Sequence, residues 1–216
     1  MGSEMCIRDR LLTDSARNFF DGKAQIITRQ LHDIMPNSRW VIYHGHIVFL
    51  IRAENISLFS ENGMLIHYLS INKLQAAISN RFDNIIDMKQ YYKQALKAFE
   101  FGRKLSPEKQ IYFYSDYIFY HMGEIAAEQL DIHSFYHPGV IAVSEYDKTH
   151  GTNFLETLRL YLTYIDNPGK IAEELYIHKN TVFYRINKLK EKFKLQLDNG
   201  DECFKMHMTI KLMELD

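Results

Sequence analysis

The sequence predicts two domains, an α+β domain followed by an all-helical one. Its 216 residues exceed the roughly 200 that one core usually organises. Strand-like runs alternate with helical periodicity as far as about residue 115, and beyond that only helical periodicity continues. A composition of 25% charged and 46% hydrophobic residues, with 4 Pro and 10 Gly, describes a chain that folds without a long disordered linker. Turn chemistry places the division between Leu130 and Thr152, giving domains over 11–135 and 136–216. The opening decapeptide, 1–10, lacks the apolar core of a targeting signal and reads as a cloning or sequence-assembly remnant outside the fold.

Asp14 to Met35 carries Ala16, Phe19, Phe20, Ile26, Ile27, Leu31 and Ile34 at helical spacing, enough for one helix or for two broken at Gly22, with Pro36 as the stop. Trp40–Tyr43 and Ile47–Ile51 are β-branched and aromatic and flank His44-Gly45-His46, which predicts a buried hairpin. Glu61–Ile71 reads as a helix and Leu74–Ser79 as a strand. In Asp87–Leu105, Met88, Tyr91, Tyr92, Ala95, Leu96, Ala98, Phe99 and Gly102 recur every three or four residues between lysines, the pattern of an amphipathic helix that Ser106-Pro107 ends. Ile111–Tyr114 predicts a strand and Asp116–Gln129 a helix. A short helix is expected over Val140–Lys148, then one capped by Thr152-Asn153 and running through Leu155, Leu158, Leu162 and Ile165.

The most specific spacing lies between Asn167 and Phe193. Ile171, Ala172 and Leu175 suit the buried face of a short helix, Tyr176-Ile177-His178 a tight connection, and Val182, Ile186, Leu189 and Phe193 the buried face of a second helix. At 100° per residue those last four fall within roughly 60° of one another, while Asn180, Asn187, Tyr184 and Lys188 lie about 140–240° away. A helix-turn-helix sets the second helix in the DNA major groove with its N-terminal residues toward the bases. Asn pairs bidentately with adenine, Lys with guanine, and either cation type with phosphate. Arg185, on the flank of the buried stripe, suits phosphate better than bases. Charge agrees locally: Tyr176–Lys194 holds Lys179, Arg185, Lys188, Lys190, Lys192 and Lys194 against Glu191 alone, net +5 in a chain of net -1. A solvated helix of a small bundle is the plainer alternative.

Leu155-x-x-Leu158-x-x-Tyr161-Leu162, Asn167, Ile171-Ala172, Leu175 and above all Ile177-His178-Lys179-Asn180-Thr181-x-x-Tyr184-Arg185-x-x-Lys188-Leu189 resemble the C-terminal helix-turn-helix of the PucR/CdaR family of bacterial transcription regulators. Leu197-Asp198 and Met206, Met208, Ile210 and Leu212 are similar to its closing segment. Ile78-Ser79-Asn80-Arg81-Phe82, Tyr91-Tyr92-x-Gln94-Ala95-x-x-Ala98 and Phe101-Gly102 resemble the degenerate GGDEF-like α+β domain that precedes it. Asn167-Pro168-Gly169-Lys170 and Phe183 depart from the pattern, the latter standing where a polar or basic residue is usual. The resemblance, over roughly residues 20–215, implies a cytoplasmic regulator of a metabolic operon that binds double-stranded DNA through His178, Lys179, Asn180, Thr181, Tyr184, Arg185, Asn187 and Lys188. It also implies a small-molecule effector acting through a separate sensory domain that this sequence is not expected to contain. A homodimer is expected, because two helix-turn-helix units double the length of DNA read, and the aromatic-rich segment Tyr112–Tyr120 is the candidate dimer surface.

An active GGDEF domain is a diguanylate cyclase, whose signature hairpin needs glycines for the nucleotide and carboxylates for Mg²⁺. With Ile47 in the place of the signature Phe, the preceding Tyr43-His44-Gly45-His46 supplies no carboxylate, so no catalytic residue, cofactor or metal is expected. A noncatalytic nucleotide-binding or protein-interaction module is the second reading and a residual cyclase the third. Cys6 and Cys203 form no redox or metal spacing and suit a reducing compartment. No apolar run reaches the roughly 18 residues of a membrane span. The motif set of nucleophile elbows, phosphate loops and dinucleotide folds is absent.

Overall fold

The computed structural model describes residues 2–9, 17–52, 59, 63–165 and 167–215, the side chains of 2–9, 17–23 and 52 excepted. Two compact units divide between His121 and Met122, where the sequence reading draws the line at 135/136. The division falls inside a helix, α4 (Tyr114–Ala127), because its side chains change surroundings along its length. Tyr117 and Tyr120 pack against Tyr112 and Phe101, whereas Gly123 lies against Leu212. Composition carries no mark of such a change.

In the first unit, β1 (Gly2–Asp9), β2 (Arg39–Tyr43), β3 (His46–Arg52), β4 (Leu74–Ile78) and β5 (Ile111–Phe113) form a sheet in the order β2-β3-β1-β4-β5. Only β4 and β5 run parallel. Residues 2–9, expected to stand outside the fold, thus occupy the middle of the sheet with ladders on both sides. Backbone pairing needs no alternating apolar pattern, and Gly2-Ser3-Glu4 and Arg8-Asp9 offer none.

The remaining elements of this unit follow their periodicity. α1 (Arg17–Ile34) runs unbroken through Gly22 and stops before Pro36; α2 is Met64–Ile71 and α3 Met88–Leu105. Residues 14–16, 61 and 62 of the expected helices lie outside the described residues. Ala24, Ile27 and Leu31 of α1 and Leu65 and Leu69 of α2 share one core with Ile47, Phe49, Ile51, Leu74, Ala76 and Ile78. α3 lies against β1, β4 and β5, so helices cover the sheet on both faces. β3 is buried, but β2 is a largely exposed edge, and the expected buried hairpin is buried on one strand only. Its turn is two residues, His44 and Gly45, at φ 48° and 75°; the pair of left-handed residues suits a twisted hairpin and calls for glycine at the second. His46 is therefore in the strand, paired with Tyr43, with its Nδ1 2.9 Å from the Tyr92 hydroxyl.

The tyrosines of the segment Tyr112–Tyr120, expected as a surface for a second copy, face the interior, while Ser115, Asp116 and Ile118 between them are exposed. Tyr112, Tyr114, Tyr117 and Tyr120 are buried within the chain, Tyr112 at 1% exposure. A Cβ on Gly102 of α3 would fall 2.1 Å from the Tyr112 ring, so the absence of a side chain there is what seats the ring. The Tyr112 hydroxyl is held between the buried Gln75 amide, which donates to the carbonyls of Pro107 and Lys109, and the Ser106 carbonyl, to which it donates at 3.2 Å. A cluster of aromatic residues reads alike in a core and in an interface; these four tyrosine rings lie in the core.

The second unit is helical among its described residues: α5 (Pro138–His150), α6 (Phe154–Thr163), α7 (Pro168–Glu174), α8 (Lys179–Lys192) and α9 (Gly200–Met213). Val140, Val143, Leu158, Leu162, Ile171, Val182, Leu189, Met206 and Ile210 make its core. His137 caps α5 through Nδ1, which accepts from the Gly139 N–H, and Pro138 opens the helix at a position that needs no donor. The expected Thr152-Asn153 cap of α6 is not made. Asp147, near the end of α5, reaches across instead: its carboxylate oxygens accept from the Phe154 N–H at 3.0 Å and the Leu155 N–H at 2.7 Å, with the Thr152 hydroxyl on the same group. Asp147→Ala is expected to cost about 1–2 kcal/mol, seen as a lower urea midpoint at unchanged slope; an unchanged midpoint would remove the cap from the account.

Candidate nucleic-acid interface

The candidate site is built on α7 and α8. Asn167 caps α7, its side-chain oxygen accepting from the Lys170 N–H at 3.0 Å, and Pro168 takes the first position. At the other end Tyr176 sits in the left-handed region at φ 54°. Its N–H donates to Glu173 and that of Ile177 to Ala172, the paired bonds that close a helix and turn the chain sharply. Ile177 then packs on the core while Tyr176 stands 95% exposed. His178 starts α8: its Nδ1 accepts from the Asn180 N–H at 3.2 Å. This is a helix-turn-helix connection, with two residues between the caps of α7 and α8.

Val182, Ile186 and Leu189 are buried and fix the rotation of α8. Its exposed side chains are Lys179, Asn180, Phe183, Tyr184, Asn187, Glu191 and Lys192. The first five run from the first helical turn along one face, at one- and four-residue steps. Three of the residues assigned to DNA by resemblance, Thr181, Arg185 and Lys188, are half-buried. Arg185 is held inward: its guanidinium donates to the Thr157 hydroxyl at 3.1 Å and to the Asn153 carbonyl at 3.4 Å, which ties α8 to the start of α6. The expected phosphate contact of Arg185 competes with that tie. His178 is exposed, but its Nδ1 is engaged by the cap.

The net charge of +5 is likewise reduced by local partners. Lys190 donates to both carboxylate oxygens of Asp198 at 2.9 Å, and that hydrogen bonding holds its ammonium above the ordinary lysine value. The Lys192 ammonium lies 3.4 Å from the Tyr146 ring centre. Lys179 and Lys188 sit over their neighbours Phe183 and Tyr184 at 6.0 and 5.7 Å, beside the exposed Asn180 and Asn187. The arrangement can offer base-edge donors and acceptors near a helix N-terminus, flanked by cations.

Phe183 is the exposed residue that sequence reasoning left out of the site. Wheel position marks it as neither core nor opposite to the core, and an apolar side chain attracts no notice in a search for hydrogen-bonding groups. The signal that finds it is its place between Asn180 and Asn187, three residues after one and four before the other. Elsewhere, among the described residues, no three His, Cys, Asp or Glu side chains converge as metal ligands, and no helix is long and apolar enough to cross a membrane.

Comparison with known proteins bears on the same segment. Residues 154–212 match the PucR C-terminal helix-turn-helix domain. Over 147 residues, 68% of this chain and 35% of the relative, the sequence is 23% identical to the DNA-binding transcriptional activator AdeR of Bacillus subtilis (strain 168). Over 138 residues, 63% of this chain and 34% of the relative, it is 22% identical to the proline-responsive transcriptional activator PutR of the same organism. The chain spans about a third of the length of these curated relatives. A regulator of polyketide synthase expression from Bifidobacterium adolescentis aligns with 98% of this chain and 79% of its own at 10% identity, but with a TM-score of 0.36.

Proposed function

Starting from residues 154–212 as a PucR-type C-terminal helix-turn-helix domain, we propose that this chain is part of a sequence-specific DNA-binding transcription regulator controlling a metabolic operon. The observation that carries the reading is the face of α8 opposite Val182, Ile186 and Leu189: Lys179, Asn180, Tyr184 and Asn187 are exposed there, from the first turn to the third of the helix that enters the groove. Asn180 and Asn187 take the base edges, Lys179 and Lys188 the phosphates, and Arg185 fixes the angle of α8. His178 and Thr181 contribute at the helix N-terminus, where backbone N–H groups favour phosphate. The relatives are activators, one of them proline-responsive, which supports a metabolic target. A homodimer lengthens the DNA read into two half-sites about one helical turn or more apart, and a small-molecule effector controls the binding.

The test separates base readout from phosphate anchoring. On a site selected from random duplexes, Asn180→Ala loses about 1–3 kcal/mol and little on random DNA. Lys188→Ala weakens both alike and lowers the slope of log K against log salt by about one. If both variants bind selected and random DNA as the parent does, α8 is not the reader.

For the first unit the reading is a degenerate GGDEF-like domain, supported by the five-stranded sheet covered on both faces. The hairpin tip, Tyr43-His44-Gly45-His46, presents imidazoles where a cyclase needs carboxylates for Mg²⁺. The expected result is no cyclic di-GMP from GTP and Mg²⁺; steady product formation would reverse it.

A further inference from the structure

We propose that Phe183 reads thymine, its ring meeting the C5-methyl group of a thymine in the major groove and making that base a required position of the operator. The inference rests on the DNA-binding reading of α8 and adds a base to it. The Phe183 ring is 47% exposed, in the second turn of α8. Its ring contact among the described residues is the Lys179 ammonium, 6.0 Å from the ring centre, so the core does not cover it.

A single exposed apolar side chain is common on any protein surface. The place of this one is what gives it meaning. Asn180 lies one turn before it and Asn187 one turn after it, so the ring stands between two amides that suit adenine. Asn180 and Phe183 lie in the first two turns of α8, the end that faces base edges in a helix-turn-helix complex, and Asn187 follows on the same face in the third. Along the major groove, the bases present acceptors, amino donors and one apolar group, the methyl of thymine. A phenyl ring lowered into that groove gains nothing from cytosine or guanine edges, which it would strip of water without replacing their hydrogen bonds. It gains burial only where a methyl group meets it. With the adenine preference of the flanking amides, the half-site under the first three turns of α8 is rich in A·T pairs.

The experiment begins with selection of duplexes by the intact chain, followed by replacement of each selected thymine with deoxyuridine, which removes the methyl group and nothing else. One replacement is expected to weaken parent binding roughly fourfold, the worth of one buried methyl. Phe183→Ala, whose melting should match the parent, binds the thymine and deoxyuridine sites equally. Phe183→Leu keeps an apolar end and keeps part of the discrimination, which separates loss of the contact from loss of the helix. Lys188→Ala discriminates as the parent does. If the parent ignores deoxyuridine at every thymine, or Phe183→Ala still discriminates, the thymine contact is overturned and the DNA-binding reading stands. If no duplex is enriched, both fall together.

Discussion

Ile186→Asp unfolds the second unit. Ile186 lies in the buried stripe with Val182 and Leu189, packed into the core that also holds Leu158, Ile171 and Ile210. A carboxylate there must either lose its hydration or expel itself, and the described neighbours are apolar, so the expected cost is at least about 4 kcal/mol. That is a large part of the roughly 5–15 kcal/mol that holds a domain together. The chain contains a single tryptophan, Trp40, and it lies in β2 of the first unit. Far-UV circular dichroism should therefore lose much of its helical signal while the fluorescence transition of Trp40 persists. Asn180→Ala, on the exposed face of the same helix, should leave both signals alone. A parent-like dichroism melt for Ile186→Asp would show that the stripe does not dock α8.

Gly102→Ala is the counterpart in the first unit. The added methyl would overlap Tyr112 at 2.1 Å from one ring carbon and 2.3 Å from the next. Neither partner has room to retreat. Tyr112 is fully buried, edge-on to Phe99 at 5.9 Å and to Tyr117 at 6.2 Å, with its hydroxyl held at Gln75 and Ser106. Overpacking of this kind costs about 3 kcal/mol or more, and here the fluorescence transition of Trp40 is the one that should shift. Adding Tyr112→Leu to Gly102→Ala should restore part of the loss, an interaction between neighbours that independent sites would not show. Additive losses would separate the glycine from the ring.

What the sequence made legible was whatever repeats along one element. The stripe of Val182, Ile186 and Leu189 is a count of turns, and the buried set of α3, Ala95, Ala98, Phe99 and Gly102, is the same kind of count. β4, a run of five buried residues of which four are apolar, also announces itself. Features made between distant residues stayed hidden. The α6 cap comes from Asp147, on the preceding helix, and nothing in Thr152-Asn153 reveals that their carboxylate partner lies elsewhere. Arg185 lies on the flank of the stripe, as its wheel position implies, but its acceptors, Thr157 and Asn153 at the start of α6, leave no mark in the local pattern. Local charge summation failed for the same reason at Lys190, whose partner Asp198 lies just past the stretch that was counted. Gly2–Asp9 stays hidden because strand pairing is made by the backbone, and its three apolar residues, Met5-Cys6-Ile7, form no alternating pattern.

The division of labour within α8 bears on how such a protein diversifies. Val182, Ile186, Leu189 and the Arg185 brace hold the helix, and Lys179, Asn180, Phe183, Tyr184 and Asn187 hold nothing of the core. Exchange of surface residues of that kind usually shifts stability by no more than about 0.5 kcal/mol. Mutation can therefore rewrite these five positions while the fold passes unchanged from one generation to the next. Read as the proposed operator contacts, they form a register in which descendants of a duplicated gene can drift to new target sequences one codon at a time, with no folding lesion to repair along the way.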